Sequence, residues 1–422
     1  MHSVTNAIPT GTIASIPAKA HAHRALICAA LANSPSTILL SRTSKDIDAT
    51  MDSLRGLGAH VVYENKVVTV TPESVPAKGN VVPHESGTTL RLLLPVAASI
   101  CNDVDVDAKG RLPDRPLEPM LGEMKAHGVT FSQDKPPFTM TGRLQGGQFS
   151  MVGDVSSQFF SGLLLAAPQI GLSTITSTTP LQSSDYVTLT TETMRDFGVE
   201  VEHTLPDTDI NEAFTVPFGA SFIGRDNYQI EGDWSNAAIW MVAAGMTGRP
   251  ITITGMNKNS VQADRRIMQV MIDAGCDVVW DGMNVTVTGR ASQPFHADLE
   301  QMPDMLPVMA ALACSISGES SFVKGARLRL KESDRLVAVA NLVRDLGGTV
   351  REDGDDLYII GSGILKGGHG DCVNDHRLVM AGTLMALISE NPVTLKDSEA
   401  ITKSYPDFFE DWNLLGGDAH GI

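Results

Sequence analysis

The fold of this chain is decided by a unit that is clearest in residues 233–289, which read DWSNAAIWMVAAGMTGRPITITGMNKNSVQADRRIMQVMIDAGCDVVWDGMNVTVTG. The unit opens with residues that favour helix N-termini, and a long apolar run follows them. Residues 250–255 alternate like a half-buried strand, and apolar residues in 261–274 recur at helical spacing. Gly275 is placed to end that helix, and Asp281-Gly282 separates two short apolar runs as in a β-hairpin. The sequence predicts the order helix, strand, helix, strand, strand.

The same unit occurs six times along the chain. Its helix-ending glycine recurs with spacings of 70, 70, 77, 72 and 70 residues, at Gly58, Gly128, Gly198, Gly275, Gly347 and Gly417. A fixed period of this kind indicates a repeat fold, in which neighbouring units bury one another's apolar faces. The other hairpin strands are predicted at 61–63 with 67–70, 129–131 with 138–141, 199–201 with 214–216, and 350–351 with 357–360. The longest spacing crosses the acidic loop 206–212, which favours three units on each side of it.

A chain of 422 residues exceeds one typical core, so two domains are expected. The sixth unit ends at Gly416-Gly417 with almost no chain left for a hairpin, and residues 7–16 belong to no unit. We therefore expect residues 7–16 to supply the missing strands and both termini to lie in one domain. The predicted domains are 1–17 with 231–422, and 18–230, with a cleft between them. The fold class is α/β of the α+β type.

The composition argues against some classes of binding partner and cellular location. The formal net charge of −17 argues against a nucleic acid or an anionic membrane surface. No apolar run reaches the length of about 18 residues that a membrane span needs, and the N-terminus does not resemble a signal peptide. The five cysteines are scattered singly without metal-binding spacing, which is typical of buried thiols in a reducing cytoplasm. We expect a cytoplasmic monomer without a metal.

Equivalent positions of successive repeats face the same way, and here they carry basic, acidic and hydroxyl groups. The first helices begin with Lys19, His21, His23 and Arg24; Glu85 to Arg91; Ser156, Ser157 and Gln158; Asp233, Ser235 and Asn236; Asp304; and Asn374 to Arg377. The second helices begin with Lys45 and Asp46; Arg111 and Arg115; Ser183 and Tyr186; Gln262; Lys331, Glu332, Asp334 and Arg335; and Lys403. Six helix N-termini facing one gap would bind anions through their N–H groups and dipoles. Taken singly, each group has an ordinary explanation as a helix cap or a solvated helix face.

Several of these segments resemble the 5-enolpyruvylshikimate-3-phosphate synthase family. They are RLRLKESDRL at 327–336, NDHR at 374–377, GTTLR at 87–91, DRPL at 114–117, VSSQF at 155–159 and KSYPDFF at 403–409. They follow the family order and span nearly the whole chain. The resemblance implies the inside-out enolpyruvyl transferase fold, with three repeats in each domain. It also implies transfer of enolpyruvyl from phosphoenolpyruvate to the 5-hydroxyl of shikimate 3-phosphate, with release of phosphate.

The resemblance further implies a role for each matching residue, with small-molecule substrates as partners and no cofactor. Shikimate 3-phosphate would be held by Lys19, Arg24, Ser156, Ser157, Gln158, Ser183, Tyr186, Asp304 and Lys331. Phosphoenolpyruvate would be held by Lys19, Gly87, Arg115, Gln158, Arg335, Arg377 and Lys403. The catalytic residues would be Lys19, Asp304 and Glu332. Two carboxylates and a lysine can move the required protons without a metal.

The sequence departs from the family at the start of the first helix, where Ala18 and Ala20 replace two expected serines. Two alternatives follow for the hydroxyl that is lost at position 20. Either His21 or His23 supplies a substitute hydrogen-bond donor, or these histidines line the helix surface and no substitute is present. A second hypothesis therefore stays open: a divergent transferase, or a binding paralogue with little turnover and a modified acceptor. A transferase acting on UDP-sugars is disfavoured, because the segment 111–115 lacks that family's reactive cysteine.

Overall fold

The computed structural model describes residues 1–207 and 211–422, so the predicted acidic loop 206–212 lies partly outside the described residues. Among the described residues the α-helices are α1 Lys19–Ala30, α2 Lys45–Gly56, α3 Gly87–Ile100, α4 Met120–Ala126, α5 Ser157–Ile170, α6 Asp185–Asp196, α7 Trp234–Thr247, α8 Ile267–Asp273, α9 Leu306–Cys314, α10 Arg335–Asp345, α11 His376–Ala386 and α12 Phe408–Leu414. Short 3-10 helices cover Leu112–Asp114, Ala263–Arg266, Pro303–Met305, Ala326–Leu330 and Ser398–Lys403.

The described β-strands are short, and each belongs to a four-stranded sheet. They are β1 His2–Val4, β2 Gly11–Ala14, β3 Ser36–Leu39, β4 His60–Glu64, β5 Val67–Thr71, β6 Gly79–Val81, β7 Asp103–Val106, β8 Thr130–Phe131, β9 Phe138–Thr141, β10 Gln148–Met151, β11 Ser173–Ser177, β12 Glu202–Thr204, β13 Ala213–Val216, β14 Tyr228–Gln229, β15 Ile251–Thr254, β16 Asp277–Asp281, β17 Asn284–Thr288, β18 His296–Asp298, β19 Gly318–Val323, β20 Thr349–Asp353, β21 Asp356–Gly361, β22 Gly368–Asp371, β23 Val393–Lys396 and β24 Ala419–Gly421.

The chain forms two compact units, here called the terminal unit (Met1–Ile16 with Glu231–Ile422) and the inserted unit (Pro17–Ile230). The inserted unit contains the sheets β14-β3-β5-β4, β6-β7-β9-β8 and β10-β11-β13-β12. The terminal unit contains β16-β17-β15-β2, β18-β19-β21-β20 and β22-β23-β1-β24. Each unit therefore holds three of the repeats that the glycine spacing predicted.

Each repeat contains one strand more than predicted, because a short strand precedes its first helix. In the second repeat, β6 leads into α3 and pairs in parallel with β7, which follows that helix. Strands β9 and β8 then extend the sheet as an antiparallel hairpin. A parallel pair needs a crossover connection, and the first helix of the repeat provides it.

Two of these leading strands are exchanged between the first and the fourth repeat. Strand β2 lies just before α1 of the inserted unit, but it pairs in parallel with β15 of the terminal unit. Strand β14 lies just before α7 of the terminal unit, but it pairs in parallel with β3 of the inserted unit. At each point where the chain passes from one unit to the other, the last strand before the crossing pairs within the unit that the chain is leaving.

The prediction that residues 7–16 complete the sixth repeat is wrong. That repeat is completed by β1 (His2–Val4), which lies between β23 and β24 and pairs with both in antiparallel fashion. Only Gly11–Ala14 of the predicted segment forms a strand, β2, and it belongs to the fourth repeat. The reason is the exchange: with β14 in the other unit, the position beside β15 is open to β2.

The predicted glycine caps recur in all six repeats. Positive φ angles of 103°, 97°, 89°, 95°, 87° and 95° occur at Gly58, Gly128, Gly198, Gly275, Gly347 and Gly416. In each case the next residue donates its N–H to a carbonyl five residues earlier, as from Val199 to Met194. The last cap is therefore Gly416 rather than the predicted Gly417. The strand predicted at 199–201 forms instead at Glu202–Thr204, and the capping bond accounts only for the place of Val199 in the turn.

The first helices form the core of each unit. In α7, thirteen consecutive residues from Trp234 to Met246 are buried, and α3 and α5 are buried over similar lengths. Helices that are apolar on every side belong to the interior, so only their ends can present polar groups. None of the helices in the described part of the chain is both long and apolar enough to span a bilayer.

The Val4→Ala substitution tests the closure of the sixth repeat by β1. Val4 is completely buried and lies opposite Val393 and Ala419. Removing two methyl groups and leaving a cavity should lower the free energy of unfolding by about 2 kcal/mol, measured by urea unfolding. Ser3→Ala is the control, because Ser3 points to the opposite face of the same strand and is only half-buried. Equal losses from both variants would contradict the pairing.

Candidate active site

Arg335, the first residue of α10, connects three carboxylates in the terminal unit. Only 1% of its side chain is exposed. Nε and Nη2 donate to the two oxygens of Asp375 at 2.9 and 3.2 Å. Nη1 donates to Asp304 Oδ1 and Nη2 to Glu332 Oε2, both at 2.6 Å. Burial lowers the pKa of Arg335, but Asp375, Glu332 and Asp304 raise it by more than burial lowers it. The pKa therefore lies above its usual value, and the guanidinium stays charged.

Lys331 makes a second ion pair with Asp304. Its Nζ lies 3.0 Å from Asp304 Oδ1. Burial raises the pKa of Asp304, but Lys331, Arg335 and Arg377 lower it well below its usual range. The pKa of Lys331 is lowered, mainly by burial, although Asp304 opposes that change. Asp304 is therefore held as a carboxylate, while Lys331 can exchange a proton more readily than an ordinary lysine.

The start of α11 brings two further cations to the same place. Asp375 caps this helix by accepting a hydrogen bond from the backbone N–H of Arg377 at 3.0 Å. Nη1 of Arg377 donates to the Ser235 carbonyl at 3.3 Å. Nζ of Lys403 donates to the carbonyl of Asn374 at 2.7 Å. Because Asp375 also binds Arg335, these contacts form one connected group with Asp304 and Glu332.

Sequence reasoning missed two carboxylates of this group. The sequence marks Asp375 only as part of a polar helix start, yet this carboxylate fixes the orientation of Arg335. Asp264 was not noted, and it accepts a hydrogen bond from the Ser235 hydroxyl while almost completely buried. The available signal was the repeat itself, since Asp264 is the second residue of the second helical segment of its repeat, as Asp46 is in the first.

In the inserted unit, Lys19 begins α1 and pairs with the second residue of α2. Its Nζ donates to Asp46 Oδ2 at 2.8 Å. The backbone carbonyl of Asp46 accepts a hydrogen bond from the Thr89 hydroxyl at 3.3 Å, in the first turn of α3. Thr89 is joined in turn to the capping residue Ser86, at 2.8 Å between hydroxyl oxygens. These bonds tie the starts of three helices together around Lys19.

Gly87 and Arg115 lie in direct contact. Gly87 is the first residue of α3, and a Cβ atom there would come within 2.5 Å of Nη1 of Arg115. The guanidinium can therefore occupy its position only because residue 87 has no side chain. Arg115 follows the 3-10 helix Leu112–Asp114, so the two predicted phosphoenolpyruvate ligands come from different segments.

Gln158, in the first turn of α5, is fixed from both sides. Its Oε1 accepts from Nη1 of Arg91 at 3.1 Å, and its Nε2 donates to the Thr88 hydroxyl at 2.9 Å. Ser156 caps this helix by accepting from the N–H of Gln158, and Ser157 is its first helical residue. Ser156 thus caps α5, and the cap brings the segment 156–158 against the start of α3.

Arg24 is buried and held mostly by its own unit. Nε donates to Thr190, Nη1 to the carbonyl of Ala20, and Nη2 to Ser161 and to the carbonyl of Tyr186. Burial lowers its pKa to about 10, although Tyr186 and Cys28 oppose the change. The second N–H of Nη1 takes no partner among residues 1–207 and 211–422. Arg24 thus links α1 to α5 and α6, and it holds the backbone carbonyl of Tyr186 beside α1.

The two histidines of α1 are buried rather than spread along a helix surface. His21 Nε2 lies 2.8 Å from the hydroxyl of Tyr228, and His23 Nδ1 lies 2.6 Å from the hydroxyl of Thr50. Burial and the nearby Arg24 lower the pKa of His21 to about 4. Burial, with Lys19 and Arg24, lowers the pKa of His23 well below its usual value. Both rings are therefore neutral at neutral pH.

The predicted site residues thus form one group in each unit. The terminal unit brings together Asp304, Lys331, Glu332, Arg335, Arg377 and Lys403. The inserted unit arranges its members around the first turns of its helices, and they are Lys19, Arg24, Gly87, Arg115, Ser156, Ser157, Gln158, Ser183 and Tyr186. Each group is rich in cations and in N–H groups at helix starts, which is chemistry suited to phosphorylated anions.

Comparison with known proteins agrees with this chemistry. The sequence model of EPSP synthase (3-phosphoshikimate 1-carboxyvinyltransferase) matches residues 7–412. A 3-phosphoshikimate 1-carboxyvinyltransferase of Clostridium kluyveri is 36% identical over 413 residues, covering 97% of this chain and 95% of that protein. One from Methanocorpusculum labreanum is 34% identical over 416 residues, covering 97% of each chain.

A solved structure confirms the predicted fold class. The EPSP synthase of Acinetobacter baumannii matches with a TM-score of 0.80 and 22% sequence identity, covering 100% of this chain and 99% of that one. At that identity the structural likeness concerns the fold alone. The family follows instead from the sequence match over nearly the whole length. The chain belongs to the EPSP synthase (3-phosphoshikimate 1-carboxyvinyltransferase) family.

Proposed function

We propose that this protein transfers the enolpyruvyl group of phosphoenolpyruvate to the 5-hydroxyl of shikimate 3-phosphate and releases phosphate, as a step of the shikimate pathway. The observation that carries the proposal is the contact of Arg335 with both Asp304 and Glu332, with Lys331 bound to Asp304. A binding protein without turnover would not need two carboxylates poised for proton transfer. The hypothesis of a low-turnover paralogue is therefore not favoured.

Phosphoenolpyruvate carries a carboxylate and a phosphate, and its assigned ligands are mostly cations. They are Lys19, Gly87, Arg115, Gln158, Arg335, Arg377 and Lys403. Planar guanidinium groups match carboxylate and phosphate oxygens with two parallel hydrogen bonds, which lysine cannot do. Arg335 is already oriented by Asp375, so little side-chain freedom remains to be lost when substrate binds.

Shikimate 3-phosphate is assigned to groups that mix charge with hydroxyls. They are Lys19, Arg24, Ser156, Ser157, Gln158, Ser183, Tyr186, Asp304 and Lys331. The N-terminus of α5, with its two serines, is a suitable place for the 3-phosphate because its backbone N–H groups favour anions. Arg24 offers shikimate 3-phosphate only the second N–H of Nη1, because its other N–H groups donate to residues of the inserted unit.

The reaction adds the 5-hydroxyl across the vinyl double bond and then eliminates phosphate. Asp304, kept ionised by Lys331 and Arg335, takes the hydroxyl proton as the carbon–oxygen bond forms. Glu332 enters the reaction protonated and gives that proton to the methylene carbon, which becomes a methyl group. In the second step Glu332 takes a methyl proton back as the bond between the carbon and the phosphate oxygen breaks, and the phosphate leaves with the proton that Asp304 took from the hydroxyl. Lys19 balances the negative charge that develops on the departing phosphate.

Phosphate release tests the assignment directly. The protein should release phosphate when shikimate 3-phosphate and phosphoenolpyruvate are both present, and not with either alone. Glu332→Gln keeps the size and an acceptor for Arg335 but cannot carry the proton, so kcat should fall at least about 100-fold. Glu390→Gln, the same chemical change at an exposed position, is the matched control. Equal rates for both variants would rule out the proton-transfer role.

Ala20→Ser tests the departure from the family at the first helix. The new hydroxyl should add one hydrogen bond to charged shikimate 3-phosphate, lowering its KM about tenfold or more while leaving the KM of phosphoenolpyruvate unchanged. The neutral, bonded state of His21 and His23 gives no reason to expect that they already supply this bond. An unchanged KM for shikimate 3-phosphate would mean that another group occupies this role.

We also propose that the protein is a monomer of the cytoplasm. The five cysteines are all buried as free thiols, which suits a reducing compartment. Sedimentation velocity should give a single species near the chain mass of 45.0 kDa at micromolar concentration. A species of twice that mass that persists on dilution would contradict the monomer.

A further inference from the structure

His23 lies one turn after Lys19 on α1 and contacts a buried hydroxyl group that the proposed reaction does not use. Its Nδ1 is 2.6 Å from the hydroxyl oxygen of Thr50, which lies one turn after Asp46 on α2. Lys19 and Asp46 make a second contact between the same two helices, at 2.8 Å. The side chains of His23 and Thr50 are completely buried. A buried polar contact therefore supports the ion pair one helical turn away.

The hydroxyl of Thr50 continues this contact to α3. It lies 2.7 Å from the hydroxyl of Thr89, which is also completely buried. Thr89 donates to the backbone carbonyl of Asp46 at 3.3 Å and to the hydroxyl oxygen of Ser86 at 2.8 Å. Ser86 caps α3 and immediately precedes Gly87. The chain of hydrogen bonds therefore ends at the start of α2 and at the cap of α3, next to Gly87.

The ring of His23 is neutral and carries one hydrogen. Its Nε2 is buried and meets no hydrogen-bond partner among residues 1–207 and 211–422. A charged ring would hold an N–H at that position without an acceptor, which is costly inside a protein. Burial, with the positive charges of Lys19 and Arg24, also keeps the pKa of the ring well below its usual value.

The hydroxyl hydrogens decide which ring nitrogen is protonated. Thr89 has one hydroxyl hydrogen, which is directed to the Asp46 carbonyl and to Ser86, and a carbonyl can only accept. Thr89 must therefore accept from Thr50, and this uses the one hydroxyl hydrogen of Thr50. None is left for His23, so the hydrogen between His23 and Thr50 belongs to Nδ1 of the ring.

We propose that His23 and Thr50 are positioning residues of the phosphoenolpyruvate site. His23 donates from Nδ1 to Thr50, and Thr50 donates to Thr89, so that one chain of hydrogen bonds fixes the starts of α1, α2 and α3. These starts carry Lys19 and Gly87, and the inference rests on the proposed function, which assigns both to phosphoenolpyruvate. A misplacement of about 1 Å in a substrate-positioning group can lower the rate about 100-fold.

Thr50→Val breaks the chain at its centre, because valine has nearly the shape of threonine without the hydroxyl. The KM for phosphoenolpyruvate should rise about tenfold, and that for shikimate 3-phosphate by less than about threefold, since only Lys19 is assigned to both. Thr50→Ser keeps the hydroxyl and should stay within about twofold of the parent protein. Thr193→Val is the matched control, because Thr193 is buried in α6 of the same unit and donates to a carbonyl of its own helix.

Two changes at His23 test the direction of donation. The side-chain amide of asparagine can place an N–H where Nδ1 lies, so His23→Asn should keep the KM for phosphoenolpyruvate within about threefold of the parent. His23→Leu has no donor and should raise this KM about as much as Thr50→Val does. The double variant of His23→Leu and Thr50→Val should be no worse than either single change, because both break one chain. In NMR spectra of protein with isotope-labelled histidine nitrogens, the signals lost in His23→Asn should show a protonated Nδ1 and a bare Nε2.

The outcomes separate this inference from the proposed function. If the parent protein does not turn over phosphoenolpyruvate at all, both fail. If the parent is active and Thr50→Val leaves the KM for phosphoenolpyruvate unchanged, or Thr193→Val raises it equally, only the positioning role is overturned. A protonated Nε2 in His23 would overturn the direction of the chain. Should Thr50→Val fold poorly, an unchanged KM in His23→Leu overturns the proposal by itself.

Discussion

The terminal unit depends on one buried cation. The side chain of Arg335 is almost completely buried, and its guanidinium donates to Asp304, Glu332 and Asp375. Charges removed from water are stable only when they are paired and hydrogen-bonded, and removing one partner of a buried pair costs about 3–5 kcal/mol. The members of this group must therefore be present together. Because they come from separate segments, the ion pairs also fix where those segments lie.

The same constraint explains how a strongly acidic protein can offer a site for anions. Most of its carboxylates are on the surface, where water screens them. Inside, Asp375 and Asp304 hold Arg335, and Asp46 holds Lys19, so the acids orient cations rather than repel the substrate. The helix starts add backbone N–H groups to this arrangement.

The repeats account for most of what was predictable. The glycine caps could be read from the sequence because a helix that reverses into a strand needs one residue with positive φ, and glycine adopts it without strain. Candidate residues such as Lys331, Arg335 and Arg377 could be placed because repeats expose equivalent positions. Asp264 escaped notice because its acidity, burial and neighbours are properties of three dimensions. In the sequence, only its correspondence to Asp46 of the first repeat distinguishes this aspartate.

The sequence alone determined the number of repeats, their division into two sets and the identity of the cationic helix starts, since these follow from local periodicity and residue type. Tertiary structure decided which strand completes which sheet. The exchange of β2 and β14, and the use of His2–Val4 rather than residues 7–16, depend on pairing between strands far apart in the chain. Short strands carry too little local information to select a distant partner, so that choice is made only when the whole sheet forms.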